Sequence, residues 1–193
     1  MANDIRSLCV YCGSSDGYVA SHITAAQDLG IYLANNHINL VYGGTAIGLM
    51  GAIANAVLAN GGTVTGVTTE HFHAAGITHD GVTQSVITPD MHSRKAEMMR
   101  HADAFVALPG GIGTLEEVAE ALTWAHIGHH GKPVGFLNVD GFYNPLIQML
   151  DQMVTSGFYR REQRGALVVA ATPEELIEKL RVAAWPDVAK WVR

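Results

Sequence analysis

The stretch AFVALPGGIGTLEEVAEALTW (residues 104–124) decides the fold predicted for this chain. A wholly apolar run leads into a turn with three glycines within four residues, and apolar residues at helical spacing follow. Such apolar runs are typical of parallel strands that are covered on both faces. A glycine-rich turn that feeds a helix N-terminus is suited to hold an anion, usually phosphate. The stretch therefore predicts an α/β unit with an anion site at its strand–helix junction.

The same alternation of strand and helix extends over the rest of the chain. Hydrophobic periodicity predicts strands at 5–13, 38–44, 63–69, 82–88, 104–111, 133–139 and 166–170, and helices at 18–36, 48–62, 91–102, 114–127, 144–155 and from 173. Residues 70–81 are predicted to be an irregular loop that could act as a lid. This order predicts an α/β fold, a Rossmann-like doubly wound parallel sheet, as a single nucleotide-binding domain over residues 1–193.

Three glycine-bearing turns are predicted to follow strands at one edge of this sheet, in residues 12–17, 42–51 and 109–114. Tight turns alone would explain the glycines of any single segment. Their convergence favours a nucleotide-sized site at the carboxyl ends of the strands. The secondary candidates for that site are Gly13, Ser14, Gly43 and Gly44.

Familiar nucleotide motifs do not match these turns. Glu116 stands where a dinucleotide-binding fingerprint has its third glycine, and Leu49 stands where a P-loop has its lysine. A standard dinucleotide site or a P-loop ATPase is therefore not expected.

Composition limits the remaining classes. The chain of 193 residues has 48% hydrophobic and 16% charged residues and a net charge of −6, which indicates a globular protein without a broad surface for nucleic acid. We expect no membrane span, no secretory signal and a cytoplasmic location. Cys9 and Cys12 are predicted to be buried thiols on opposite faces of a strand rather than a redox pair. The ten histidines match no metal-binding spacing, so no metal site is predicted.

Two segments carry charged residues that could take part in chemistry, and each has a structural alternative. Arg94 and Lys95 fall near the start of a helix predicted to be capped by Asp90, where a bound anion would offset their unfavourable interaction with the helix dipole. Arg94 could instead pair with Glu97 on a surface helix. Thr114 and Glu117 match a capping box, T-x-x-E, in which Glu117 would have no role beyond the helix.

The two segments together resemble the LONELY GUY family of cytokinin riboside 5′-monophosphate phosphoribohydrolases. The family signature, P-G-G-x-G-T-x-x-E with an upstream R-K, is matched by Pro109, Gly110, Gly111, Gly113, Thr114 and Glu117 together with Arg94 and Lys95. Similarity also extends to YCGSS near the start, to YGGTAIGLMG and to LTWAHIGHHGKPVGFLNVDGFY. Members are often labelled lysine decarboxylases, but the four lysines of this chain lie in no obvious pyridoxal phosphate setting.

The resemblance implies a hydrolase that needs no cofactor and cleaves the N-glycosidic bond of AMP or an N6-substituted AMP, releasing free base and ribose 5-phosphate. It implies a homodimer or larger homo-oligomer with each site near the subunit interface. It also implies catalytic roles for Arg94 and Glu117. The substrate-binding residues that it implies are Arg94, Lys95, Gly111, Ile112, Gly113, Thr114, Leu115, Glu116, Glu117 and Thr123.

One position departs from the family pattern. The family has a further ligand-binding glutamate upstream of the arginine, at the position that Gly76 occupies here, so that contact is predicted to be lost. A non-catalytic nucleotide carrier or sensor stays open as the alternative function, since it would keep the glycine turns without needing Glu117. If the protein is an enzyme, the glycine amides are expected to bind the phosphate. The carboxylate of Glu117 is expected to stabilise the cationic sugar of the transition state.

Overall fold

The computed structural model describes residues 3–186, and these form seven parallel strands covered by helices on both faces. The strands are β1 (Ser7–Tyr11), β2 (Asn39–Tyr42), β3 (Val64–Thr69), β4 (Gln84–Thr88), β5 (Ala104–Ala107), β6 (Val134–Leu137) and β7 (Val168–Ala170). The helices are α1 (Ala20–Asn35), α2 (Gly48–Ala59), α3 (Glu70–Ala74), α4 (Met91–His101), α5 (Ile112–His126), α6 (Asn144–Thr155), α7 (Arg161–Ala166) and α8 (Pro173–Val182).

The strand order is β4-β3-β2-β1-β5-β6-β7, and every pairing in the sheet is parallel. The chain builds outward from β1 to β4 and then returns to place β5 on the other side of β1. The predicted Rossmann-like doubly wound sheet is therefore confirmed, and its topological switch point lies between β1 and β5. The ends of the predicted domain, 1–2 and 187–193, lie outside the described residues.

Hydrophobic burial on both faces of the sheet explains the apolar strands. Residues of α1, α2 and α8 cover one face, and residues of α4, α5 and α6 cover the other. Cys9 lies in the core of the second face and Cys12 in the core of the first, both buried and free, so their predicted placement on opposite faces is confirmed. No helix among residues 3–186 combines the length and the apolarity needed to cross a membrane.

Three local expectations were wrong. Residues 70–81 are not wholly irregular, because α3 begins there with the Thr69 hydroxyl accepting a hydrogen bond from the N–H of Phe72 (3.3 Å). The short helix α7 was not expected. Helix α5 begins at Ile112 rather than Thr114, so the glycine turn itself supplies the start of the helix.

Candidate functional site

A cleft of about 400 Å³ opens where β1, β2 and β5 end, at the switch point of the sheet. Its volume lies in the range of pockets that hold small ligands. Residues of both the α4 and α5 segments and of all three glycine turns line it: Cys12, Ser14, Thr45, Ile47, Met50, Phe72, Ile77, Met91, Arg94, Gly111, Ile112, Gly113, Thr114 and Glu117. A groove of similar volume between α1 and α8 has only the acidic side chains of Asp28 and Glu174 as its charged lining, which does not suit an anion.

The three glycine turns pack directly on one another. The N–H of Gly13 donates to the carbonyl oxygen of Pro109 (3.1 Å), which joins the first turn to the third. A Cβ on Gly48 would lie 2.4 Å from the carbonyl carbon of Ser14, and Gly48 has a positive φ of 62°. Glycine is therefore required at Gly48 by both the contact and the backbone. The predicted convergence of the three glycine turns is therefore confirmed.

The start of α5 leaves backbone amides free for a ligand. Gly111 is the N-cap residue, and no side chain caps the helix. The N–H of Leu115 donates to the carbonyl oxygen of Gly111 (3.1 Å), so the N–H groups of Ile112, Gly113 and Thr114 come before the first helical hydrogen bond. A Cβ on Gly111 or Gly113 would meet no protein atom within 4 Å. Free amides, open space and the positive end of the helix dipole are together suited to hold an anion.

Thr114 and Glu117 do not form the capping box that their spacing allowed. Thr114 lies inside the helix and is buried, and its hydroxyl lies so close to Gly110 that a Cβ on that glycine would be 2.1 Å away. Glu117 reaches across to α4 instead, where its Oε1 accepts a hydrogen bond from Nη1 of Arg94 (2.9 Å). The structural alternative for Glu117 is therefore wrong.

Arg94 is buried and held on several sides. Its side chain is 6% exposed, and its Nε donates to the carbonyl oxygen of Val67 (3.0 Å) in addition to the bond with Glu117. A Cβ on Gly43 would lie 2.3 Å from Nη2 of Arg94, so the glycine makes room for the guanidinium. The surface pair with Glu97 does not form, because Glu97 pairs with Arg100 (2.5 Å). The expected cap of α4 does form, with Asp90 accepting from the N–H of Ser93 (2.8 Å).

Glu117 is a buried carboxyl group with a perturbed pKa. Burial raises the pKa of Glu117 above its usual value of 4.5, and the attraction of Arg94 offsets only part of this effect. The nearby charge of Glu116 raises that pKa further, whereas the charge of Lys95 lowers it. A perturbed carboxyl group with a specific charged partner in a cleft is typical of functional sites.

Lys95 points to a different set of partners from Arg94, although the two are adjacent. Its Nζ donates to Oε1 of Glu116 and to Oε1 of Glu120 (3.0 Å). Burial lowers the pKa of Lys95, but the two hydrogen-bonded carboxylates more than offset this and leave the pKa raised. Lys95 does not line the cleft.

Of the other predicted site residues, Ser14 lines the cleft and the rest lie outside its lining. Gly13 and Ser14 line an adjoining crevice of about 410 Å³ that shares Ser14 and Gly111 with the cleft. Gly44 has a positive φ of 75° and accepts a hydrogen bond from the N–H of His79 (2.9 Å) at its carbonyl oxygen. Leu115, Glu116 and Thr123 lie on α5 outside the lining of the cleft.

Gly76 follows α3 with a positive φ of 68°, a conformation that glycine adopts readily at helix ends. Its amide donates to the carbonyl oxygen of His73 (3.1 Å), and a Cβ there would meet no atom within 4 Å. The loop is tied to the second glycine turn by the N–H of Ala46, which donates to the carbonyl oxygen of Ile77 (3.1 Å).

Sequence reasoning missed the apolar part of the cleft and one polar contact. The apolar lining comes from Ile47, Met50, Phe72, Ile77 and Met91. Ile47 lies in a predicted glycine turn and Met91 begins a predicted helix, and both are exposed apolar residues, which is a weak signal. Glu120 was missed although it stands four residues after Glu116, on the same face of the helix.

The histidines and cysteines of the chain do not form a metal centre in the described part of the structure. Residues 3–186 contain no group of three or more His, Cys, Asp or Glu side chains placed to hold a metal ion. Burial raises the pKa of Cys12, which lines the cleft, so its thiol is a neutral part of the wall.

The fold and this site define a class of protein. It is a Rossmann-like α/β protein with an uncapped helix N-terminus and a buried arginine–glutamate pair at its switch point.

Comparison with known proteins gives the family. The chain belongs to the LONELY GUY family, whose family model carries the description "Possible lysine decarboxylase" and matches residues 50–180. It is 49% identical over 175 residues to a cytokinin riboside 5′-monophosphate phosphoribohydrolase of Arabidopsis thaliana, covering 91% of this chain and 81% of the relative. It is also 49% identical over 175 residues to such an enzyme of Oryza sativa subsp. japonica, covering 91% of this chain and 72% of the relative.

Solved structures agree on the fold. The molybdenum cofactor carrier protein of Chlamydomonas reinhardtii matches with a TM-score of 0.67 and 22% identity, covering 89% of this chain and 93% of that one. A molybdenum cofactor binding protein of the bacterium Rippkaea orientalis matches with a TM-score of 0.66 and 24% identity, with the same coverage. At these identities the likeness concerns the fold alone.

Proposed function

We propose that this protein hydrolyses the N-glycosidic bond of AMP or an N6-substituted AMP and releases the free base and ribose 5-phosphate. The observation that carries the proposal is the buried Glu117, paired with Arg94 in the same cleft as the uncapped amides of α5. The names of the Arabidopsis and rice relatives describe this reaction on cytokinin riboside 5′-monophosphates. With such a substrate, the product base is a free cytokinin.

The phosphate is bound by the start of α5. The amides of Ile112, Gly113 and Thr114 donate to its oxygens, and the positive end of the helix dipole favours its charge. Gly111 and Gly113 leave room for the phosphate because they lack side chains. A nucleoside without the phosphate lacks these contacts and should react far more slowly.

The sugar is placed next to Glu117. This residue lies four positions after Gly113, about one helical turn or roughly 6 Å along the axis, which suits a ribose whose 5′-phosphate occupies the turn. Loss of the base gives the sugar an oxocarbenium-like positive charge, which the carboxylate of Glu117 stabilises. The same carboxylate positions the attacking water.

Arg94 acts through its charge. An arginine guanidinium keeps its proton in proteins, so it is not the proton donor to the base. The bonds to Val67 and Glu117 fix the guanidinium before the substrate arrives. Because it is pre-organised, its charge stabilises the anionic phosphate or the departing base without reorganisation.

The apolar lining of the cleft receives the base. Ile47, Phe72 and Met91 provide apolar surface beside the charged pair. An adenine ring, with or without an apolar N6 substituent, fits this chemistry.

We also propose that the protein acts as a homodimer or larger homo-oligomer. Ile112 is 81% exposed at the mouth of the cleft, and Leu115 and Met91 are also exposed nearby. A second copy would cover this apolar surface, and it would complete the wall of each site.

A nucleotide carrier is the rival function. It would share the glycine turns, and carrier proteins are among the solved structures with this fold. A carrier has no need to keep a carboxylate buried with a raised pKa in its cleft. The Glu117–Arg94 pair therefore favours the hydrolase.

The test is to incubate the protein with AMP, with N6-isopentenyl-AMP and with the two corresponding nucleosides, and to assay free base and ribose 5-phosphate. Equimolar release of both products from a monophosphate, with much slower cleavage of its nucleoside, is expected. Tight binding of the monophosphates without cleavage would support the carrier instead. Equal cleavage of nucleoside and monophosphate would contradict the phosphate site.

A further inference from the structure

The turn between β6 and α6 reaches the carboxyl end of β5. It comprises residues 138–143, and its last residue, Tyr143, is 5% exposed. The hydroxyl of Tyr143 donates a hydrogen bond to the carbonyl oxygen of Leu108 (2.5 Å). Leu108 comes immediately before the glycine turn 109–111, which leads into α5. The tyrosine therefore connects the end of β6 to the start of the proposed phosphate site.

We propose that Tyr143 is a positioning residue, whose hydroxyl fixes the carbonyl oxygen of Leu108 and thereby aims the free amides of α5 at the phosphate. Tyr143 does not line the cleft, so it acts through the glycine turn and not by contact with the substrate. The inference rests on the proposed function, because it takes phosphate to be the group bound at the start of α5.

The glycine turn 109–111 has few other anchors. The carbonyl oxygen of Pro109 accepts from the N–H of Gly13 (3.1 Å), and Gly110 packs against the side chain of Thr114. Among residues 3–186, the hydroxyl of Tyr143 makes the one side-chain hydrogen bond to residues 108–111. Two successive glycines leave a backbone many conformations to choose from. A fixed carbonyl group at the entry to the turn reduces that choice.

Tyr143 is itself held on several sides. Its ring centroid lies 4.5 Å from that of Phe136 and 5.0 Å from that of Phe142. Its N–H donates to Oδ1 of Asn138 (2.7 Å), and Nδ2 of Asn138 donates to Oδ1 of Asn144 (2.8 Å). Because backbone and ring are both fixed, the hydroxyl can act as a rigid support for Leu108.

The chemistry of this hydrogen bond makes it hard to replace. Burial raises the pKa of Tyr143 above its usual value of 10, so the hydroxyl keeps its proton and remains a donor. No other hydrogen bond to the carbonyl oxygen of Leu108 is present among residues 3–186. A buried carbonyl group that loses its donor is costly, and it turns toward another donor or toward water. Loss of the hydroxyl should therefore displace the glycine turn that follows.

The test compares Tyr143→Phe with Tyr159→Phe as a matched control. Both tyrosines pack on the same face of the sheet, but the buried hydroxyl of Tyr159 has no hydrogen-bond partner among residues 3–186. With AMP as substrate, KM should rise by about tenfold in Tyr143→Phe, whereas kcat should change by less than about threefold, because Arg94 and Glu117 stay in place. Tyr159→Phe should keep both constants. Partial unfolding alone would lower kcat and leave KM unchanged, so an unchanged KM in Tyr143→Phe would overturn the inference.

Two further measurements do not depend on turnover. In calorimetry, ribose 5-phosphate should bind about tenfold more weakly to Tyr143→Phe than to the wild type or to Tyr159→Phe. Equal binding by all three proteins would overturn the inference. In ligand-free protein, the NMR amide resonances of Gly111 and Gly113 should shift in Tyr143→Phe and stay in place in Tyr159→Phe. Unshifted resonances in Tyr143→Phe would also overturn it.

These measurements separate a failure of the inference from a failure of the proposed function. If the wild type neither cleaves AMP nor binds ribose 5-phosphate, the proposed function fails, and the amide resonances alone decide whether Tyr143 positions the turn. If Tyr143→Phe does not fold, Asn138→Ala takes its place, because it removes the acceptor of the Tyr143 N–H and keeps the hydroxyl. A raised KM for AMP in that variant would support the inference, and a normal KM would overturn it.

Discussion

Arg94 is held before any ligand binds, by the carbonyl oxygen of Val67, the carboxylate of Glu117 and the space left at Gly43. The three residues lie in different segments, namely β3, α5 and the turn after β2. A buried charge without a partner would be strongly destabilising, so the guanidinium and the carboxylate depend on each other. Their interaction fixes the geometry of the pair and offsets part of the rise that burial causes in the pKa of Glu117.

The pH dependence of the reaction should report on Glu117. Its carboxylate form is required, and burial raises its pKa above 4.5. As the pH falls through this raised value, kcat/KM should therefore fall, with an apparent pKa above 4.5 on the acid side. A pH–rate profile on AMP or N6-isopentenyl-AMP measures it. If kcat/KM stays constant down to pH 4.5, no buried carboxylate takes part in the reaction.

Gly43→Ala should disable the site by crowding Arg94 and, less closely, Sδ of Met50 (2.8 Å). The new Cβ would lie 2.3 Å from Nη2 of Arg94 and would displace the guanidinium. Since misplacement by about 1 Å costs on the order of a hundredfold in rate, kcat/KM should fall by about that factor.

The matched control is Gly165→Ala on α7, where a Cβ would meet no atom within 4 Å. Its activity should stay normal, and alanine in a helix should add up to about 1 kcal/mol to the free energy of unfolding. Normal kinetics in Gly43→Ala would show that the position of Arg94 does not limit the rate.

At the level of elements, α5 shows which parts of the site the sequence could and could not predict. The strand–turn–helix order and the convergence of the glycine turns followed from periodicity and from the rules of parallel sheets. The first residue of α5 did not follow from these rules, because T-x-x-E at 114–117 is also a good capping box. The deciding partner of Glu117 is Arg94, which lies 23 residues upstream, and no local pattern contains that contact.

The short helices were missed for a related reason. Helix α3 has five residues and α7 has six, too few for hydrophobic periodicity to show. Thr69, the N-cap residue of α3, and Gly76, shortly after its end, were signals that could have located this helix.

Gly113→Ala tests whether the phosphate of the substrate occupies the free space at the start of α5. A Cβ there meets no protein atom within 4 Å, and alanine favours a helix, so the variant should be as stable as the wild type or slightly more stable. If phosphate fills that space, KM for the monophosphate should rise by about tenfold or more. Unchanged KM would place the phosphate elsewhere. Thermal unfolding measured in parallel excludes a folding defect.

For the whole molecule, the exposed apolar residues around the cleft predict association. Ile112 is 81% exposed, which is costly for a large apolar side chain beside other apolar groups. Light scattering at assay concentrations should therefore give the mass of at least two chains of 20.6 kDa. Fully active protein with the mass of a single chain would contradict the homo-oligomer.

The central claim is that a buried carboxylate in this fold breaks a glycosidic bond. The most direct measurement compares the wild type with Glu117→Gln in one assay of base and ribose 5-phosphate released from N6-isopentenyl-AMP or AMP. Gln can still accept the hydrogen bond from Arg94, but it supplies no negative charge to the sugar and no base for water. The wild type should release both products in equal amounts, and the variant should remain folded while its turnover falls by at least about a hundredfold. A folded Glu117→Gln protein that releases the products at a near-normal rate would contradict the account.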